Sequence, residues 1–490
     1  MDTFGNGNPR IIIAKKPVAV TTGQCDACPS TLSLSMGGDS LNVAAEYFLP
    51  QHSILINLDN DFRIICREDM PYPVVLNESG WGIFSQFRIP RTLNDLVLDS
   101  AVKDFLAQSV STGLLHSTDI SMHLKEQAGP LVAWIHITDK CNLRCAYCYL
   151  PHMREDMSFE TGKAVIESIF RSAVLHGYRE IKLKYAGGEP LLNFPLILEL
   201  NGLAASFARQ NGISLDSVIL SNGTLLTPDM VNAMRHAGIR LMISLDGLGI
   251  VHDAHRPYVS GRGSFEDVSR AISIALDYGL VPDISITISN QTIAGLSDLL
   301  GWVLEWDLPF SLNFYRDNPL SLSSDNLGME DEQMINGMLA AYKVIEDNLP
   351  RRSLFASLID RANLAAPHLR TCGVGQNYLV FDQNGQVAKC QMQIHKTVAD
   401  SHTIDPLADI RADQIGIQNL PVENKAGCKI CEWKYWCTGG CALEAHRVWG
   451  RYDVKSPNCN IYKVLFPEAL RLEGLRLLKY QDDPEVVMKL

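Results

Sequence analysis

Apolar, β-branched runs alternate with amphipathic stretches through the middle of the chain, between residues 128 and 320. The apolar runs are short enough for buried strands, and the stretches between them repeat apolar residues at helical spacing. Six such alternations predict an α/β fold with parallel strands and right-handed crossovers, which a partial (β/α)6 barrel satisfies. Its chemistry is expected at the carboxyl ends of the strands. The predicted strands are 132–138, 181–185, 217–221, 241–245, 284–289 and 310–315.

The flanking segments have other patterns. Residues 1–46 are rich in Gly, Ser, Thr and Pro and are expected to be a partly extended N-terminal extension. Residues 47–122 begin with short β-rich runs and continue with apolar residues at helical spacing, which predicts a small winged-helix-like domain. The remaining predicted units are the barrel at 128–320, a helical connector at 321–370, a cysteine-rich domain at 371–462 and a C-terminal helix at 463–490.

Composition and charge exclude several classes of function. The formal net charge is −12, and no cluster of Lys and Arg offers a surface for nucleic acid or anionic lipid. The sequence has no signal-peptide pattern and no uninterrupted apolar run long enough to span a bilayer. We therefore expect a cytoplasmic protein that binds neither nucleic acid nor membrane. In a reducing compartment, clustered cysteines favour metal ligation over disulfides.

Three of the 13 cysteines follow the first predicted barrel strand at C-x3-C-x2-C spacing. These are Cys141, Cys145 and Cys148, here called the first triad. A disulfide cannot use three thiols, and tetrahedral zinc takes four ligands. An iron–sulfur cluster with one iron left open is the economical interpretation, and three buried cysteines without a metal are the disfavoured alternative.

The C-x3-C-x-Φ-C pattern, with Tyr147 at the aromatic position, resembles the signature of the radical S-adenosylmethionine (SAM) enzymes. The resemblance implies a [4Fe–4S] cluster on the first triad, whose open iron chelates SAM and whose electron cleaves it to a 5′-deoxyadenosyl radical. It also implies that Glu189, in the sequence Gly187-Gly188-Glu189, binds the methionyl amino group. By the same resemblance Ser244 contacts the ribose and Arg256 the carboxylate of SAM. For Arg256 alone, a surface ion pair is the alternative.

Seven more cysteines lie between residues 372 and 459. A zinc ribbon would leave three of them idle, whereas two cubane clusters would use all seven and lack one ligand. Their spacing resembles the SPASM extension of radical SAM peptide maturases, which implies two auxiliary [4Fe–4S] clusters. By position, an outer quartet would hold one cluster and an inner triad the other. The outer quartet is Cys428, Cys431, Cys437 and Cys459, and the inner triad is Cys372, Cys390 and Cys441.

The inner triad is one ligand short of a complete set. We expect an open iron that faces the substrate and can coordinate a substrate thiolate. If the protein supplies a fourth ligand instead, the candidates are His368 and the distant Cys25, Cys28 and Cys66. For Cys25 and Cys28, at C-x2-C spacing, two free thiols are the preferred interpretation.

Residues 47–122 resemble the PqqD-like recognition element of enzymes that modify ribosomally made peptides. The resemblance implies that a leader peptide adds to the edge of its sheet. A structural subdomain without a ligand is the alternative.

The residues and resemblances together predict an enzyme that abstracts hydrogen from a ribosomally synthesised precursor peptide, with cross-linking, epimerisation or backbone excision as outcomes. A cellular one-electron donor is the second expected partner, and the catalytic residues are not identified. A sulfatase maturase that makes formylglycine is the alternative. It is disfavoured because such enzymes carry an aspartate base after the cysteine matching Cys390, and Gln391 cannot accept a proton there. Two further hypotheses remain. The substrate could be a small molecule, or the protein could be an electron carrier with three clusters, which would leave Glu189 and Arg256 without a role.

Overall fold

The computed structural model describes residues 8–15, 30–33, 45–49, 53–58, 61–68, 70, 72–95, 99–117, 125–321 and 327–488. Cys25 and Cys28 lie outside these residues, so the prediction made for them stays a prediction. Cys66 and all ten cysteines of the predicted cluster sites lie within them.

The N-terminal part contains an antiparallel four-stranded sheet in the order β1-β6-β5-β4 and a smaller sheet in the order β7-β3-β8. Asn77 begins the first helix by accepting a hydrogen bond from the Gly80 amide at 2.9 Å, and Asp99 begins the second through the Val102 amide at 2.8 Å. The elements are β1 (Ile11–Ile13), β2 (Ser30–Ser33), β3 (Glu46–Phe48), β4 (Ile54–Asn57), β5 (Phe62–Cys66), β6 (Val74–Asn77), α1 (Glu78–Phe84), β7 (Arg91–Thr92), α2 (Ser100–Ser111), β8 (His116–Ser117) and β9 (Lys125–Ala128), the last paired with β2.

The first strand comes from the predicted N-terminal extension, and its two edges are both paired. On one side Ile11–Ile13 pairs with β6. On the other, the C-terminal segment lies along it: the Lys15 amide donates to the Val486 carbonyl at 2.9 Å and the Met488 amide to the Ile13 carbonyl at 3.0 Å. The opposite edge of this sheet is β4, which pairs only with β5 among the described strands.

Six parallel strands in the order β15-β14-β13-β12-β11-β10 follow, as the alternating pattern predicts. The predicted α/β fold with a parallel sheet is therefore confirmed. Its elements are β10 (Leu131–His136), α3 (Phe159–Leu175), β11 (Glu180–Ala186), α4 (Phe194–Asn211), β12 (Ser214–Ser221), α5 (Pro228–His236), β13 (Ile239–Ser244), α6 (Ile250–His255), α7 (Phe265–Asp277), β14 (Asp283–Ile288), α8 (Leu296–Glu305) and β15 (Phe310–Phe314).

The helical stretch Pro190–Asn211, which contains α4, is long and apolar enough by length and composition to cross a membrane. In the fold its Leu196, Ile197 and Leu200 are buried in the main core, as expected of a helix that covers a barrel.

The sheet does not end with the barrel. A strand from the cysteine-rich region, β16, pairs in parallel with β10, and β17 and β18 continue the sheet in antiparallel fashion to nine strands. Cys372 precedes β16 and Cys390 follows β17, so this extension brings the inner triad beside the barrel mouth. The remaining elements are α9 (Asp331–Asp347), β16 (Tyr378–Phe381), β17 (Gln386–Ala388), β18 (Thr397–Asp400), α10 (Pro406–Ala412), α11 (Lys434–Cys437), α12 (Ala442–Trp449) and α13 (Cys459–Lys479).

The predicted C-terminal helix is α13, which packs on α9 and against the N-terminal four-stranded sheet. Gly474 allows this contact, because a Cβ at that position would lie 2.7 Å from Leu58 Cδ1, at the end of β4. The helix therefore ties the N-terminal sheet to the rest of the molecule.

Candidate active site

A cavity of about 280 Å³ opens at the carboxyl ends of the barrel strands. The first triad lines one part of its wall and the inner triad another, with Tyr149 and Tyr378 also on the wall. Ser244, Arg256, Gly187 and Gly188 line the same space. The structure thus brings together residues from three separate sequence motifs around one cavity.

The loop that carries the first triad is fixed by the segment after α6. The Arg144 amide donates to the Pro257 carbonyl at 2.8 Å, and the Ala146 amide donates to the His255 carbonyl at 2.9 Å. These bonds place Arg256 next to Tyr147, although more than a hundred residues separate them in sequence. The contact is cation–π as well as polar, with the guanidinium carbon 5.8 Å from the Tyr147 ring centre.

Burial raises the pKa of the Cys141 thiol to about 11 and that of Cys145 to about 12. Without a metal these side chains are therefore thiols at neutral pH. Because clusters are bound by thiolates, cluster assembly here must release protons, and the positive charge of the irons must supply the driving force.

The two glycines of the Gly187-Gly188-Glu189 loop pack against the backbone that leads into the first triad. A Cβ on Gly187 would lie 2.5 Å from the Thr138 carbonyl oxygen, and one on Gly188 would lie 2.3 Å from the Lys140 carbonyl oxygen. The sequence interpretation assigned the glycines to close approach by a ligand. In this structure the glycines closely approach the protein's own backbone. The Gly188 amide also donates a hydrogen bond to the Thr138 carbonyl at 2.7 Å.

Glu189 is fully buried, and its carboxylate accepts three hydrogen bonds from the protein. The donors are the Leu191 amide at 3.0 Å, the Ser221 hydroxyl at 2.7 Å and the Asn222 amide at 2.7 Å. Burial raises the pKa of Glu189, and these donors oppose that effect. The carboxylate therefore holds the turn after β12. Its predicted contact with SAM stays a prediction.

Arg256 belongs to a buried polar network that the sequence did not reveal in full. Its Nη1 donates to the Tyr147 hydroxyl and, at 3.4 Å, to Asp246 Oδ2, while the Tyr147 hydroxyl donates to the same oxygen at 2.5 Å. Asp246 Oδ1 accepts from the Thr287 amide at 2.8 Å. Burial opposes ionisation of Asp246, but Arg256, His255 and His252 together outweigh it and hold the pKa of Asp246 well below its ordinary value. Arg256 is thus in a buried ion pair, not in the surface pair considered as its alternative.

One donor of this network has no partner among the residues that the structure describes. Arg256 Nε is buried and makes no hydrogen bond, although Nη1 is fully engaged. Ser244, at the end of β13, lies partly exposed on the same cavity wall. An unsatisfied guanidinium donor beside a hydroxyl and two glycines fits the carboxylate and ribose of SAM, since buried donors are normally satisfied.

The outer quartet surrounds a separate, small pocket of about 20 Å³. Across the described parts of the chain, no three His, Cys, Asp or Glu side chains converge on a point that could hold a single metal ion. Tetrahedral zinc needs such convergence, whereas the thiolates of a cubane bind different irons and lie further apart. The cluster predicted for the outer quartet, and the zinc site weighed against it, both stay predictions.

The inner triad has three cysteines on the large cavity, and of the candidate fourth ligands that the structure describes, His368 and Cys66, neither joins them there. His368 is buried, but it lies on neither cavity wall, and its Nδ1 is bonded to the Ala366 carbonyl at 3.0 Å. Cys66 is the last residue of β5 and is buried in the core. Gln391, beside Cys390, accepts a hydrogen bond from the Tyr378 hydroxyl at 3.1 Å. Among the described residues, no Asp or Glu side chain lines the cavity.

Residues 135–303 match the family model described as the Radical SAM superfamily. The matched segment contains the first triad and most of the barrel. Members of this superfamily bind a [4Fe–4S] cluster and SAM.

Curated relatives extend the similarity beyond the barrel. The Fe-coproporphyrin III synthase of Methanosarcina barkeri is 24% identical over 374 residues, covering 68% of this chain and 88% of that protein. The serine-type anaerobic sulfatase-maturating enzyme of Klebsiella aerogenes is 24% identical over 369 residues, covering 69% and 86%. A solved structure of native anSMEcpe with bound AdoMet and a peptide superposes with a TM-score of 0.58 at 18% identity, over 72% of this chain and 99% of that one. It supports the fold assignment.

Sequence reasoning missed two members of this site. Asp246 stands in the Ser244-Leu-Asp246-Gly motif from which only the serine was selected, so a signal was present. Lys425, described below, had no signal, because its burial between two cysteine sites depends on contacts between distant parts of the chain.

Proposed function

We propose that this chain is a radical SAM enzyme that modifies a ribosomally synthesised precursor peptide, using three [4Fe–4S] clusters. The observation that carries the proposal is the shared cavity, in which the first triad and the inner triad face the same space. When bound, SAM and the first cluster supply a 5′-deoxyadenosyl radical that abstracts hydrogen. A substrate residue in this cavity would lie between that radical and a second redox centre able to take up the remaining electron. A cellular one-electron donor is the required partner.

The residues proposed to bind SAM are Tyr147, Gly187, Gly188, Glu189, Ser244 and Arg256. Arg256 offers its free Nε to the carboxylate, while Asp246 and Tyr147 hold the guanidinium in place. Ser244 offers a hydroxyl to the ribose. Glu189 fixes the turn after β12, and the two glycines keep the loop against the first triad. The proposed cluster ligands are the ten cysteines of the first triad, inner triad and outer quartet.

The inner cluster is proposed to keep an open iron toward the cavity. Supporting this, none of the described alternative ligands, His368 or Cys66, lines the cavity. A substrate thiolate could take the open position, since thiolates are the preferred ligands of such clusters.

A peptide substrate is supported by the N-terminal sheet and by the relatives. The β4 edge is the place proposed for leader binding, because the C-terminal segment already occupies the β1 edge. Backbone pairing at an exposed edge is a general way to bind an extended peptide. Sulfatase-maturating relatives and the anSMEcpe structure with bound peptide favour the same substrate class.

Formylglycine formation is the second candidate function, favoured by the similarity to the Klebsiella aerogenes maturase. It requires a base at the target residue. Gln391 cannot serve, because its amide is not basic and already accepts from Tyr378. Among the described residues, no Asp or Glu lines the cavity, which also argues against formylglycine formation. The small-molecule hypothesis is represented by relatives named for porphyrin and GTP chemistry.

Two experiments test the proposal. Anaerobically reconstituted, reduced protein is incubated with SAM, and 5′-deoxyadenosine is measured; Cys145→Ala is the control expected to form none. The enzyme is then co-expressed with short peptides encoded beside it, and the peptides are analysed by mass spectrometry. Modification lost on deletion of residues 45–117 supports leader-guided peptide maturation. An aldehyde on a sulfatase-derived peptide would favour the second candidate, and turnover that survives the deletion would favour a small molecule.

A further inference from the structure

Lys425 is a buried lysine between the two auxiliary cysteine sites. Its side chain is only 1% exposed, and it lies at the start of the turn that carries Cys428, whose amide donates to the Lys425 carbonyl at 3.1 Å. Its ammonium donates a hydrogen bond to the Thr438 carbonyl, at 2.8 Å. Thr438 follows Cys437 of the outer quartet and precedes Cys441 of the inner triad by three residues.

This ammonium has no carboxylate partner in the described part of the chain. Two other buried lysines do: Lys182 lies 3.2 Å from Asp216, and Lys389 lies 3.0 Å from Asp413. The ionisable groups near this ammonium are instead cysteines: Cys428 and Cys437 of the outer quartet and Cys372 and Cys441 of the inner triad. A buried cation without a counter-charge costs several kcal/mol. The compensating negative charge must therefore come from the cysteine sites.

The backbone is shaped to admit this lysine. Gly439 has a φ of +81°, and a Cβ there would lie 2.7 Å from Lys425 Cδ, 3.2 Å from its Nζ and 3.4 Å from Cys428 Sγ. The ammonium and a sulfur of the outer quartet thus border the same small space. Thr438 also has a positive φ, 51°, which is unfavourable for a side chain with a branched Cβ. The chain accepts this strain in the three residues that connect Cys437 of the outer quartet to Cys441 of the inner triad.

The same connection is bonded to the inner site. Thr371, directly before Cys372, donates its hydroxyl to the Gly440 carbonyl at 2.7 Å and lies 2.9 Å from the Thr438 hydroxyl. Thr438 is therefore in contact with Lys425 on one side and with the Thr371–Cys372 segment on the other. A charge on Lys425 acts on both auxiliary sites at short range and in a region without solvent, where electrostatic effects are largest.

We propose that Lys425 is a positioning residue that supplies the counter-charge of the auxiliary clusters and sets their reduction potentials. The inference rests on the proposed function, because it requires clusters at the outer quartet and inner triad. One-electron reduction adds one negative charge to a cluster. A fixed cation beside it stabilises the reduced form and raises the potential, as charge and hydrogen bonding around such clusters do in general.

The test is a redox titration of the full-length, reconstituted enzyme, followed by EPR, for Lys425→Met, Lys425→Arg and Lys455→Met. Lys455 borders the outer pocket but is exposed, so water screens its charge. We expect Lys425→Met to retain its iron. At a fixed potential, its ratio of oxidised to reduced auxiliary clusters should be at least tenfold higher than in the native enzyme, which corresponds to a fall in reduction potential of about 59 mV for a one-electron couple. Lys425→Arg and Lys455→Met should stay close to the native enzyme.

Unchanged potentials in Lys425→Met with full iron content would overturn the proposal. If Lys425→Met loses iron, the iron contents of Lys425→Arg and Lys425→Gln test the proposal instead. Iron retained by Lys425→Arg but lost by Lys425→Gln supports a role for the charge. Iron retained by both variants, or lost by both, overturns the proposal. These readouts need no peptide substrate. A native enzyme that lacks the auxiliary clusters would instead contradict the proposed function itself.

Discussion

At the scale of single residues, the loop after β11 makes the sharpest steric demand in the site. The Gly188 position has backbone oxygens on the side where a Cβ would project, and backbone cannot move aside as a flexible side chain can. We expect Gly188→Ala to displace the segment before Cys141 and to lose most of the iron bound by the first triad, together with 5′-deoxyadenosine formation. Gly202→Ala is the matched control. Nothing lies within 4 Å of its Cβ, and alanine in a helix should stabilise by up to about 1 kcal/mol. Equal iron contents in the two variants would contradict this account.

A second prediction at this scale concerns Asp246. Its carboxylate holds Arg256 and Tyr147, so Asp246→Asn should leave the guanidinium misoriented and weaken SAM binding about tenfold or more. Isothermal titration of SAM into the reconstituted protein measures this effect, and the iron content should not change. Asp253→Asn is the control, because that carboxylate caps α7 through the Phe265 amide at 2.8 Å and lies off the cavity. Weaker SAM binding in both variants would point to a general disturbance of α6.

These residues also show how far the sequence could define the site. Cysteines are informative from the sequence alone, because the spacing between them restricts the kinds of metal site that they can form. Asp246 and Lys425 are informative only through their partners, which lie in other parts of the chain. Glu189 illustrates the opposite case: the motif was recognised, but its three protein donors became visible only in the folded chain.

At the scale of elements, adjacent barrel strands are joined by a row of charges. Lys182 on β11 contacts Asp216 on β12 at 3.2 Å, Arg240 on β13 contacts Asp216 at 2.9 Å, and Arg240 contacts Asp283 on β14 at 3.1 Å. Asp216 is partly buried. Burial raises its pKa, but Arg240 and Lys182 outweigh this and lower the pKa below its ordinary value.

A carboxylate with a lowered pKa stabilises the fold above its unfolded pKa and loses that contribution as pH falls through its folded pKa. Asp216→Asn should therefore destabilise the protein by about 2 kcal/mol at pH 7, since Lys182, which is buried, and Arg240 both lose this carboxylate. The difference in thermal unfolding between variant and native protein should shrink below about pH 4. Asp453→Asn removes an exposed pair with Arg451 and should have no measurable effect. A difference for Asp216→Asn that persists at low pH would argue against the charge row.

The elements themselves were largely predictable because they are local. Each barrel strand is a short apolar run, and helices such as α3 and α5 begin at capping side chains, Ser158 and Thr227, that the sequence displays. The extension of the sheet by β16 to β18 was not predictable, because nothing in residues 378–400 indicates pairing with a strand more than two hundred residues earlier. That pairing is nevertheless what brings the inner triad to the cavity.

At the scale of the whole molecule, the three cysteine groups form two spaces: the first and inner triads share the large cavity, and the outer quartet has its own pocket. If each group holds one [4Fe–4S] cluster, anaerobically purified protein should contain about twelve irons per chain.

Because the three groups use different cysteines, it should be possible to remove one cluster and keep the other two. Cys428→Ala with Cys431→Ala, or Cys372→Ala with Cys390→Ala, should each remove about four irons and leave SAM cleavage by the first cluster intact, while peptide modification is lost. Cys141→Ala with Cys145→Ala should remove a similar amount and abolish 5′-deoxyadenosine. Iron and sulfide analysis with Mössbauer spectroscopy measures each loss. A native iron content near four would reduce the enzyme to a single cluster, and an outer variant that also loses the inner cluster would mean that the two auxiliary sites assemble as one unit.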